Sequence, residues 1–113
     1  MSEKAAKYGN VKTVIDGIKF DSRKEATFYG KLKLMKRAGE ILDFEMQPEF
    51  EYYVSFVAND RKFGYIRKYI ADFKVIFPDG RTEIWDVKGV KTAIYKQKKK
   101  IIEKLYGIEI IEK

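Results

Sequence analysis

The chain has 113 residues, a formal net charge of +7 and a pI near 9.5. That length is enough to bury a core without disulfides or a structural metal, so one domain over residues 10–113 is expected. There is no cysteine and no histidine, which excludes disulfide scaffolds, thiol nucleophiles, Ser-His-Asp triads, zinc fingers and histidine metal sites.

Catalysis in such a chain would run on carboxylates, lysines and tyrosines, and a hard, oxygen-preferring cation such as Mg²⁺ suits that inventory. The positive charge points to a polyanionic partner, most simply nucleic acid. No apolar run approaches membrane-spanning length, and the Met-Ser-Glu-Lys start lacks the apolar region of a signal peptide. The expectation is a cytoplasmic protein with no membrane partner and no small-molecule cofactor.

Residues 1–9 are polar and read as a flexible N-terminus. Asp16-Gly17, flanked by Thr13-Val14-Ile15 and Ile18-Lys19-Phe20, is a strong hairpin signal. Ser22-Arg23-Lys24-Glu25 matches a capping box and opens a helix running to about Ala38, with Gly39 as its stop. Ala26, Tyr29 and Leu32 recur at helical spacing and should face the core, with Phe28, Met35 and Ala38 as further candidates.

Ile41–Gln47 reads as a short strand ended by Pro48, and 50–57 as another with Phe50, Tyr52, Val54 and Phe56 on one side. Ala58–Lys62 is a polar turn. The chain then enters a central hairpin over 69–89, with Pro78-Asp79-Gly80 as its turn. After Gly89 a helix is expected from roughly Ala93 to Tyr106, capped by Thr92 and stopped by Gly107. Its apolar side would carry Ile94, Ile101, Ile102 and Leu105. A last strand, Ile108–Ile111, closes an α/β arrangement in which helices flank a mixed sheet.

The central hairpin holds the chemistry. If Gly80 takes the left-handed position of the turn, Phe77 pairs with Arg81, Lys74 with Ile84, and Asp72 falls opposite Asp86. Asp86 and Lys88, two apart on a strand, then share a face with Asp72. A loop one residue longer, without a compensating bulge, would move Asp86 to the other side of the sheet. Like charges placed opposite each other destabilise a sheet, so a cation, the neighbouring lysine or both should hold the patch together. A surface ion-pair cluster is the plainer alternative, although an aspartate among Ile70, Phe73 and Val75 is awkward as a mere surface residue.

Asp72, then Asp86-Val87-Lys88 across a hairpin, with Glu25 in a preceding helix, resembles the motif of the PD-(D/E)XK nuclease superfamily. The wording Gly17–Ala26, Gln47-Pro48, Tyr69–Phe73 and Asp86–Gly89 is similar to a family of small phage endonucleases, and the arrangement is similar to phage Holliday-junction resolvases. Ala71, not proline, precedes the first aspartate. The resemblance implies a restriction-endonuclease-like αβββαβ core. It also implies Mg²⁺-dependent (Mn²⁺ substituting) hydrolysis of DNA phosphodiesters, with branched DNA in phage recombination or replication as the substrate.

On that resemblance Asp72, Asp86, the Val87 carbonyl and Glu25 would ligate metal, and Lys88 would orient or help deprotonate the attacking water. Glu25 has its capping role as an alternative, and Gln47, a site neighbour on this reading, has ordinary strand-end hydrogen bonding. Lys91, Lys96, Lys98, Lys99, Lys100 and Lys104 crowd one C-terminal segment, none of residues 87–102 is acidic, and Tyr95 lies among the lysines. They read as DNA contacts or, more plainly, as a solvated helix face. One site per chain cuts one strand, so paired cuts suggest a homodimer. A non-catalytic DNA-binding accessory with the same fold is the alternative function.

Overall fold

A computed structural model describes residues 13–87 and 91–113. Residues 1–9, read above as a flexible tail, and Lys88 lie outside the described residues. The rest divides into two compact units, one of residues up to 44 with 76–81, the other of 45–75 with residues from 82 onward.

In the first unit, β1 (Thr13–Ile15) and β2 (Ile18–Phe20) form the expected hairpin, with Ile15 opposite Ile18. Asp16 and Gly17 both take positive φ (55° and 75°), the conformation a two-residue turn of this hand requires. Helix α1 (Arg23–Arg37) begins where Ser22 Oγ accepts the Glu25 N–H at 3.1 Å, and Gly39, at φ 80°, follows its end. Ala26, Tyr29 and Leu32 are buried, as their spacing predicts. Tyr29 packs between Phe20 (5.1 Å between ring centroids) and Phe44 (5.9 Å). Its hydroxyl donates to Asp16, which also pairs with Lys33, so the turn is tied to the helix.

The 78–80 turn closes as its sequence predicts: the Phe77 N–H donates to the Arg81 carbonyl at 2.8 Å and Gly80 adopts φ 90°.

In the second unit, β4 (Glu49–Ala58) and β5 (Arg61–Ile70) pair antiparallel over ten residues around an Asn59-Asp60 turn, whose φ values are 53° and 59°. Residues 69–77 do not form the single strand read from the sequence. The Ala71 N–H donates to the Pro48 carbonyl, whereas the Asp72 N–H donates to the Trp85 carbonyl. The backbone therefore changes partner between these two residues, and β6 (Phe73–Ile76) starts afresh in another sheet. That sheet has the order β3-β6-β7-β8, with β3 Asp43–Met46, β7 Thr82–Asp86 and β8 Ile110–Glu112. β7 and β8 run parallel, Ile84 opposite Ile110 and Asp86 opposite Glu112. The final strand thus starts two residues later than the predicted Ile108.

Helix α2 (Ala93–Tyr106) has the expected limits: Thr92 Oγ1 accepts the Tyr95 N–H, and Gly107 takes the left-handed conformation. Its buried face keeps Ile102 of the predicted one but not the other three residues. Tyr95 and Ile102, two turns apart, are buried, while Ile94, Ile101 and Leu105 are exposed at 65%, 40% and 62%. An aromatic and an isoleucine seven residues apart suffice for the seam, so the three remaining apolar residues turn outward. The core joins Tyr95 and Ile102 to Tyr52, Tyr69, Ala71, Ile84 and Ile110.

The described residues thus make a mixed α/β protein with a mixed-orientation sheet and two helices, none of which is long and apolar enough to cross a membrane.

Candidate functional site

Where β5 gives way to β6, Asp72 meets the end of β7. Asp86 is completely buried, the only charged residue among the described residues to be so. Its Oδ1 accepts the Asp72 backbone N–H at 3.1 Å and its Oδ2 accepts the Tyr69 hydroxyl. In return, Asp72 Oδ2 accepts the Val87 N–H at 2.6 Å. Each aspartate is thus held by a backbone donor from the other's segment. Donors aimed at the ionised form offset the repulsion that adjacent carboxylates feel. Asp72 is half-buried, and among the described residues its Oδ1 accepts no hydrogen bond. The pair therefore presents hard oxygen donors, one of which, Asp72 Oδ1, accepts no hydrogen bond among the described residues.

Tyr95 supports the far side of Asp86. Its ring stacks on Tyr69, 6.4 Å between centroids at 29°, and its hydroxyl donates to Glu112 Oε2 at 3.0 Å. Burial, then the hydrogen bond to Glu112 and the nearby Asp86 charge, push its phenol pKa well up, so it remains a proton donor. Glu112 is held below the ordinary carboxylate range, first by Lys91 at 3.1 Å and then by Tyr95. Asp86 and Glu112 are brought level by the parallel ladder, and Tyr95 spans them.

The remaining predicted residues fall in several places. Glu25 is half-buried at the third position of α1, in the first unit, with its N–H on Ser22. Gln47 is exposed at φ 53°, and its N–H donates to the Asp72 carbonyl at 2.9 Å, the strand-end hydrogen bonding that was its plainer reading. Val87 is buried, and its N–H bonds Asp72. Lys88 lies outside the described residues. Among the described residues no group of three or more acidic side chains gathers in a metal-binding cluster.

Lys91 and Lys99 are taken up by Glu112 and Glu103, leaving Lys96, Lys98 and Lys100 without a carboxylate partner among the described residues. Lys98 lines a shallow depression of about 270 Å³ with Lys68, Tyr69, Ile70, Thr92, Ile94 and Tyr95. Tyr95, expected beside the lysines as a surface aromatic, is only 9% exposed and packs as part of the core. Sequence reasoning missed Tyr69 and Glu112. Only the ladder register that sets Glu112 beside Asp86, and the break that turns Tyr69 toward it, could have found them.

A family model described as a protein of unknown function (DUF1064) matches residues 5–110. The chain belongs to the DUF1064 family. The match includes Glu25, Asp72, Asp86 and Lys88, so the whole candidate constellation is inside the DUF1064 region. No curated protein and no solved structure matches the chain.

Proposed function

We propose that this DUF1064 protein is a metal-dependent DNA endonuclease of the PD-(D/E)XK type, with a restriction-endonuclease-like core. The observation that carries this reading is the interlocked Asp72–Asp86 pair, one carboxylate buried and the other half-buried beside it. Two carboxylates kept side by side without a histidine or cysteine suit a hard divalent cation, Mg²⁺ or Mn²⁺. Asp72 and Asp86 would hold it, with the Val87 carbonyl as a further ligand. When bound, such an ion supplies charge stabilisation at a phosphodiester and a more acidic water.

The chain's own groups supply the rest. Tyr69 and the Asp72 N–H fix the orientation of Asp86, and Lys88 orients the attacking water or offsets charge on the phosphate. Lys96, Lys98 and Lys100 provide sequence-independent contacts to the DNA backbone. Branched DNA, a four-way junction or fork, is the substrate class, and paired cuts call for two copies of the chain. The setting that fits is a phage-encoded enzyme in the bacterial host cytoplasm.

A second reading rests on the Tyr69 hydroxyl, which already occupies Asp86 Oδ2. It gives a DNA-binding accessory without cleavage. Labelled four-way junction, fork and linear duplex DNA, incubated with Mg²⁺, separate the two. Cutting that disappears in Asp86→Asn and in Lys88→Ala is the expected result. Tight, salt-sensitive binding with no cutting in Mg²⁺ or Mn²⁺ would establish the accessory reading instead.

A further inference from the structure

Lys98 stands apart from the other lysines of α2. Lys96, Lys100 and Lys104 are exposed, whereas Lys98 is half-buried, and among the described residues it has neither a carboxylate partner nor a hydrogen bond. Lys99, equally half-buried, has Glu103 at 3.2 Å. An ammonium drawn partly out of water without a counter-charge costs stability, and an anion brought to it would offset that cost.

The depression of about 270 Å³ that Lys98 lines holds a second cation, Lys68. Lys68 belongs to β5 and Lys98 to α2, so two elements bring positive charge to one small space. Thr92 adds a hydroxyl that accepts the Tyr95 N–H and keeps its own proton to donate. Ile70 and Ile94 contribute apolar surface, which lowers the local dielectric and strengthens attraction for an anion. The described residues around the depression include no carboxylate. Across the β4–β5 ladder Glu51 stands opposite Lys68, and Glu49 pairs with Lys68 at 3.1 Å. Both members of that pair are about half exposed, at 51% and 52%, where an ion pair contributes little, so Lys68 can turn to another anion.

Size, charge and position choose the occupant. Pockets for small-molecule ligands run to about 300–1,000 Å³ and enclose them, whereas this depression is smaller and shallow. Two ammonium groups and a hydroxyl donor in that volume suit one phosphate group. Tyr69 also lines the depression, and its hydroxyl meets Asp86 Oδ2, so a single residue joins this space to the Asp72–Asp86 pair. A strand that reached the two carboxylates would carry another of its phosphates past Lys68 and Lys98.

We infer that Lys68 and Lys98 together clamp one backbone phosphate of bound DNA, in a binding site adjoining the Asp72–Asp86 pair. The inference rests on the DNA part of the proposed function and not on cleavage.

Metal-free binding of labelled duplex DNA, followed by fluorescence anisotropy over a range of salt, tests it. Each duplex phosphate neutralised contributes about 0.9 to the slope of log affinity against log salt. Lys68→Ala and Lys98→Ala should each weaken binding about fivefold, and the double variant should lower the slope by about 1 and not about 2, because both lysines serve one phosphate. Lys98→Met, which keeps the apolar stem, should bind as weakly as Lys98→Ala and unfold at no lower temperature than wild type. Lys19→Ala, which removes an exposed lysine of β2, should bind as wild type does. Lysine variants no weaker than Lys19→Ala, or a double variant whose slope falls by about 2, overturn the shared site while leaving DNA binding intact. A wild type without affinity for duplex, fork or four-way junction overturns the inference and the DNA reading together.

Discussion

Tyr69→Phe removes one oxygen and leaves the ring against Tyr95. The hydroxyl it deletes donates to Asp86 Oδ2 in a region where Tyr69 is 4% exposed and Asp86 is fully buried. A hydrogen bond to a charged group contributes about 1.5–3 kcal/mol, and a buried carboxylate left short of a donor suffers the full loss of that solvation. Because Oδ1 keeps the Asp72 N–H, the cost belongs in the middle of this range, about 2 kcal/mol. With a urea dependence of about 1–2 kcal/mol per molar for a chain of this size, the unfolding midpoint should fall by roughly 1–2 M. Repeating the substitution in an Asp86→Asn background should recover at least about 1 kcal/mol of coupling. A midpoint shift below about 0.3 M would refute the reasoning, because the hydroxyl would then contribute no more than a water does.

Two neighbouring positions on α2 should part company: Ile102→Ala should cost about 2–5 kcal/mol by leaving a cavity, whereas Ile101→Ala should stay within about 0.5 kcal/mol. Thermal unfolding of the two variants checks which face of the helix is buried. Glu112 is held below its ordinary value of 4.5, so its stabilisation is complete above about pH 4.5 and is lost as pH falls through the lower folded-state value. Glu112→Gln should therefore flatten the acid limb of the stability–pH curve below pH 4.5, leaving the slope near neutrality unchanged.

Local signals were legible because local chemistry enforces them. Asp16-Gly17, Ser22, Gly39, Gly80, Thr92 and Gly107 each satisfy a backbone requirement within four residues, and each sits at its predicted place. The approach of Asp72 to Asp86 followed from the turn at 78–80, again over a short span. The handover at Ala71-Asp72 was not legible, since β-branched and aromatic residues continue across it and only the carbonyls of Pro48 and Trp85 divide the run. Nor was the rotation of α2: Ile94, Ile101 and Leu105 form as good an apolar stripe as Tyr95 and Ile102, and tertiary packing selects between them. Tyr69 and Glu112 belong to the site through sheet register and through a partner change, neither of which has a local sequence mark.

Glu103 shapes how the last strand is delivered. Its Oε2 receives the Ile110 N–H at 2.8 Å while pairing with Lys99, and its carbonyl receives the Ile108 N–H across Gly107. Parallel pairing of residues 84–86 with residues 110–112 demands a long closure, which is slow when each segment must be found separately. Because α2 and the opening of β8 are clamped together within a few residues, one encounter brings both the helix face and the strand to β7. A tail clamped in this way would fold as one unit, and Glu112 would arrive beside Asp86 in the same event.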